Sequence, residues 1–123
     1  MGEWSFQPHE ISQIKKGRIL RGSWGYDQTN NEFCKVEKNT GKTLICQKLG
    51  KIKGTYGRSG QEVGPDVKSK ECKPFRIKID RYKIEDQENI SLHGKMPFGG
   101  DCSDGIKVHW GKYEGGTLID TER

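Results

Sequence analysis

Glycine punctuates this chain from one end to the other: seventeen of its 123 residues, joined by four prolines and falling into no repeat. Scattered in this way they favour many tight turns between short segments, because glycine accepts turn conformations that other residues resist. Long helices are excluded by the same spacing. Only 30% of residues are hydrophobic, so the expected core is thin and covered by the aliphatic stems of lysines and arginines. A single domain accounts for the length.

Apolar residues between the turn signals follow two periods. Pro8 to Lys16 carries Ile11 and Ile14 three apart, opens with a proline and stops at Gly17, which predicts a helix of about two turns. Beyond it the pattern is β: Ile19 to Trp24, Phe33 to Val36 and Thr43 to Ile52, the last two joined by Asn39-Thr40-Gly41, a hairpin turn sequence. Phe75-Arg76-Ile77-Lys78-Ile79 alternates apolar with basic residues, the mark of a strand with one buried face. Tyr82 to Ile84, Asn89 to Leu92 and Ile106 to Trp110 complete roughly seven short strands. Gly54 to Lys73 and Gly94 to Gly105 are expected to be long loops.

Short antiparallel strands around one thin core lose their exposed edges by closing on themselves. The expected fold is therefore mainly β, a small antiparallel β-barrel of SH3-like or Tudor-like type, with an OB-like barrel second. Residues 1–17 would form an N-terminal segment with the helix, 18–113 the barrel, and 114–123 a flexible tail.

No stretch of about 18 apolar residues is present, and MGEWSFQPHEIS has neither the basic start nor the apolar run of a signal peptide. A cytoplasmic protein without membrane contact is expected. Cys34, Cys46, Cys72 and Cys102 form no C-x-x-C pair and have no histidines at finger spacing, so no zinc site is predicted. The four are expected as reduced thiols used in packing; two disulfides would form only in a secreted chain.

Charge gives the first indication of function. From Lys48 to Lys83 there are eleven Lys/Arg against Glu62, Asp66, Glu71 and Asp80, a net of +7, so the remainder sums to −2 of the overall +5. Such segregation attracts polyanions or phosphorylated small molecules, although a solvated strand face would look the same. The second indication is Ser23-Trp24-Gly25-Tyr26-Asp27-Gln28-Thr29-Asn30-Asn31, where two aromatics flank a glycine and lead into five polar side chains. On a strand Trp24 and Tyr26 share a face and offer a stacking platform, with Gln28, Thr29 and Asn30 to hydrogen-bond a ligand. Trp110 would supply an opposite wall, and Lys51, Lys53, Arg58, Arg76 and Lys78 would neutralise phosphate. The competing reading puts Trp24 and Trp110 in the core and makes Asp27 to Asn31 a turn.

Catalytic patterns are missing from the sequence. It contains no G-x-x-x-x-G-K-[ST], no strand and helix to frame a dinucleotide fingerprint, and no nucleophile and base that can be paired. Asp101 and Asp104 match no calcium loop. No enzyme activity, metal or cofactor is predicted.

The octet Ser23-Trp24-Gly25-Tyr26-Asp27-Gln28-Thr29-Asn30, followed by Phe33 and Val36, resembles a family of small uncharacterised proteins of bacteriophages and other mobile elements. A Gly-rich loop, the Pro74-Phe75-Arg76 strand start and a late Trp occur in similar order, although Trp110-Gly111-Lys112 lacks the Asp-Gly that follows that Trp in the family. The resemblance implies an accessory binding protein in the host cytoplasm. Its ligand would be nucleic acid or a nucleotide. The alternative is an anti-defence protein that sequesters a host signalling nucleotide or blocks a host defence protein by direct contact.

Overall fold

The structure, a computed structural model, describes residues 4–25, 29–98 and 101–121. It is mainly β, with seven antiparallel strands in one sheet and a single 3-10 helix, Pro8–Gln13. The strands are β1 (Ile19–Trp24), β2 (Asn30–Asn39), β3 (Thr43–Gly57), β4 (Gly60–Ile84), β5 (Gln87–Phe98), β6 (Asp104–Lys112) and β7 (Leu118–Asp120). Each of the first five pairs with the next in the chain, and β6 returns to β1, so the pairings close in a ring. No helix among the described residues is long and apolar enough to cross a membrane.

Period-two alternation decides which side chains enter the ring. Leu20, Cys34, Val36, Leu44, Cys46, Ile77, Leu92, Met96, Val108 and Trp110 are buried together, and polar residues between them face out. One end is plugged by the N-terminal segment. Phe6, Ile11 and Ile14 join the core there, and Asn39, at the end of β2, donates from Nδ2 to the carbonyls of Ile11 and Ile14 at 2.9 and 3.0 Å. Lys112, 2.6 Å from Glu10, and the N–H of Gln7 hold the Glu10 carboxyl below its usual range. The helix is tighter than expected and ends at Gln13. The turn at Asn39-Thr40-Gly41 is present: Asn39 accepts from the Gly41 N–H at 2.8 Å, and Gly41 has φ +88°.

Three expectations are corrected. Gly54 to Lys73 is not a loop, because β3 and β4 run on as a hairpin turning at Arg58-Ser59. Exposed from residue 52 to residue 59, that ribbon has no apolar alternation to reveal it. Gly94 to Gly105 likewise continues β5 to Phe98 and opens β6 at Asp104. The tail is not free either: β7 pairs with Gln61–Val63 of β4. Asp120 accepts from the backbone and side chain of Asn31 at 2.7 and 2.9 Å. Leu118 and Tyr113 cover a second small cluster, Phe33, Leu49 and Val63, outside the ring.

Cysteine chemistry also differs from expectation. Cys72 and Cys102 are disulfide-bonded, tying β4 to the β5–β6 connection, while Cys34 and Cys46 are free and buried. Burial, and then the neighbouring Cys46 thiol, push the Cys34 thiol well above its usual range, so it is an inert packing residue.

Candidate functional site

The end of the ring opposite the 3-10 helix is where β1 and β5 finish and β2 and β6 begin. Continuing the inward alternation to that end places Trp24 after Leu20 and Gly22, Glu32 before Cys34, and Phe98 after Met96. Trp24, Phe98 and Ile106 pack partly buried on the core. Trp24 and Phe98 rim a cleft of about 420 Å³ that is also lined by Asn30, Glu32, Lys48, Gly50, Lys51, Lys53 and Glu71.

Two rings shape the cleft. Trp24 and Phe98 meet edge to face, with centroids 5.7 Å apart and planes at 75°, so a flat group lying on one ring meets the edge of the other. Lys48 Nζ lies 5.1 Å from the Phe98 centroid and 3.4 Å from Glu71, a cation held both by a π face and by a carboxylate. Trp24 Nε1 donates to Glu32 Oε2 at 3.0 Å. Glu32 is only 4% exposed, and its charge is met by Lys51 at 3.7 Å, which also bonds Asp120 at 2.7 Å. The floor therefore holds two ion-paired groups, Lys48 with Glu71 and Lys51 with Glu32 and Asp120, in which both lysines are already met by carboxylates.

Two groups stand outside these pairs. Asn30 Nδ2 is sealed from solvent and has no hydrogen-bond partner among the described residues, and Lys53 is exposed and makes no ion pair among them. An unpaired buried donor is costly unless something accepts from it. Nearby, Cys72 and Cys102 fasten the β5–β6 connection next to Glu71.

The cleft thus brings together four of the side chains proposed from sequence: Trp24, Asn30, Lys51 and Lys53. Tyr26 and Gln28 lie outside the described residues. Thr29 is turned to the C-terminal segment, its N–H donating to Thr121 Oγ1 at 2.7 Å while its carbonyl accepts from the Thr121 N–H at 2.9 Å. Trp110 is no wall of this cleft. It is 4% exposed, packed on Phe75 with centroids 5.7 Å apart, and lines a separate hollow of about 230 Å³ beneath Trp4 and Phe6. Its alternation with Val108 sends it into the ring, which is why the core reading holds for Trp110 while Trp24, at the rim, is shared between core and cleft.

The remaining basic residues are elsewhere. Arg58 is at the tip of the β3–β4 ribbon, and Arg76 and Lys78 are on the outer wall, paired with Ile45 and Thr43 at the start of β3. Along β3 that is about 20 Å from Lys51. Glu32, Lys48, Glu71 and Phe98 are site residues that sequence reasoning missed. Asp101 is a turn former, held below the usual carboxylate range by the hydroxyl and N–H of Ser103. Among the described residues no group of three or more His, Cys, Asp or Glu is gathered as for a metal ion.

Compared with protein-family models, with curated proteins and with solved structures, the chain matches none.

Proposed function

We propose that this chain is an accessory binding protein whose open ring end takes one small, planar, anionic ligand of the nucleotide class. The observation that carries the reading is Asn30, whose Nδ2 has no partner among the described residues, lining one cleft with the Trp24–Phe98 pair. A base on one of these rings would draw the Asn30 amide round to donate to its carbonyl or ring nitrogen, and Lys53 would meet a phosphate at the rim. The cleft volume, about 420 Å³, falls in the range of small-molecule sites, roughly 300–1,000 Å³. Lys48 and Lys51 are already neutralised by Glu71, Glu32 and Asp120, which favours one phosphate over a polymer at this position.

This reading treats the ring as a small barrel, SH3-like before OB-like, since β1 to β6 pair in chain order and an OB barrel is a Greek key. Its biological form is sequestration of a nucleotide, the kind of accessory role that the resemblance implies. Isothermal titration with nucleoside monophosphates tests it. Saturable one-to-one heat is expected, weakened about tenfold in Asn30→Ala, the order of one lost hydrogen bond, and again in Lys53→Ala. Absence of heat with every base, or an Asn30→Ala variant that binds as wild type, would remove the proposal.

A further inference from the structure

The outer wall of the ring carries a feature that the cleft does not use. Along β4, β5 and β6 the buried Ile77, Ile79, Met96, Val108 and Trp110 alternate with Arg76, Lys78, His93, Lys95, Lys107 and His109, which face outward. Register brings these into rows: Lys78 opposite His93, His93 opposite His109, and Lys95 opposite Lys107. Four permanent cations share the wall with one carboxylate, Asp80. That carboxylate is hydrogen-bonded to His93 and 3.6 Å from Lys78, contacts that hold it below its usual range. Lys42 adds a fifth cation at the lower edge, where it borders a shallow hollow with Arg76, Lys78 and His93. Lys42, Arg76, Lys95 and Lys107 make no ion pair among the described residues.

Like charges directly opposite one another weaken a sheet, so Lys95 facing Lys107 is a standing cost with no compensation within the described wall. The wall's geometry suggests what would compensate it. Neighbouring strands are about 4.8 Å apart and outward residues on one strand about 7 Å apart, which makes a cationic grid close in pitch to successive phosphates. We propose that this wall binds the phosphodiester backbone of a nucleic-acid strand, without reading its sequence. A lipid surface fits less well, because the large exposed apolar side chains, Ile52, Tyr56, Val67, Ile84 and Ile119, all lie off these rows. The inference stands apart from the cleft and does not require a nucleotide there.

Fluorescence polarisation with a labelled single-stranded DNA of about 20 nucleotides tests it. With about four phosphate contacts, the slope of log affinity against log salt is expected near −3, roughly a 50-fold loss between 50 and 200 mM salt. Lys107→Glu sets a carboxylate opposite Lys95 and is expected to raise the melting temperature while weakening DNA binding at least tenfold. Lys95→Glu with Lys107→Glu removes the binding. The proposal is overturned if wild type does not bind or if Lys107→Glu binds as wild type. Binding to anionic lipid vesicles without binding to DNA overturns it too. Loss of nucleotide binding at the cleft leaves all of these results unchanged.

Discussion

Trp24 donates its indole N–H to a carboxylate nearly sealed from water, and the same ring forms half of the aromatic pair at the cleft. Fold and site therefore share one residue, and its variants must be read on both scales. Trp24→Phe keeps a ring beside Phe98 but strips Glu32 of its nearer donor, leaving Lys51 at 3.7 Å. A loss of about 1–2 kcal/mol of stability by chemical denaturation is expected for a buried acceptor deprived of one bond. No loss would mean that Glu32 does not depend on the indole. Trp24 and Asn30 stood out in the sequence as a large ring close to an amide, and the structure brings both to one cleft. Glu32 was legible in principle, by counting back in twos from Val36 and Cys34. Lys48 follows the same count forward from Leu44 and Cys46, which sets it opposite inward-facing Cys34, but composition places a lysine on the surface and hides that position.

At the scale of elements, β1 follows the apolar pattern from Ile19 to Trp24, and the cores of β2, β3, β5 and β6 lie where that pattern puts them. What escaped is the β3–β4 ribbon. Gly60, next to its turn, has φ +130°, and a Cβ there would strike the Asp120 carbonyl of β7, so a glycine that reads as a loop signal is required by strand packing. Phe98 was missed for the same reason, since it ends a strand that reads as loop. The Cys72–Cys102 bond crosses from β4 to the connection beyond Phe98 and closes a loop with a sequence separation of 30. Replacing both by alanine is expected to cost about 3–4 kcal/mol in the chain-entropy account. Thiol counting on the denatured, unreduced protein should find two free cysteines, Cys34 and Cys46. Four would restore the expectation of reduced thiols, which goes with a cytoplasmic location, because cytosolic reductants keep such pairs open.

Over the whole molecule, the charge segregation read from Lys48 to Lys83 is divided among separate surfaces. Lys48, Lys51 and Lys53 lie at the cleft, Arg58 at the ribbon tip, and Arg76 and Lys78 on the wall with Lys95 and Lys107, which fall outside that segment. A linear sum of charge cannot foresee this, because strand register, and not sequence distance, decides which cations become neighbours. The ring is plugged at one end by Phe6, Ile11 and Ile14 and left as a lined cleft at the other. That asymmetry is the basis of the functional reading. The most direct test is a two-dimensional ¹H–¹⁵N NMR titration with a nucleoside monophosphate, following the indole N–H of each tryptophan and the side-chain amide of Asn30. Saturable shifts at Trp24 and Asn30, with Trp110 unmoved in the core, are the predicted result. Shifts confined to Trp4 and Trp110, or none at all, would contradict it.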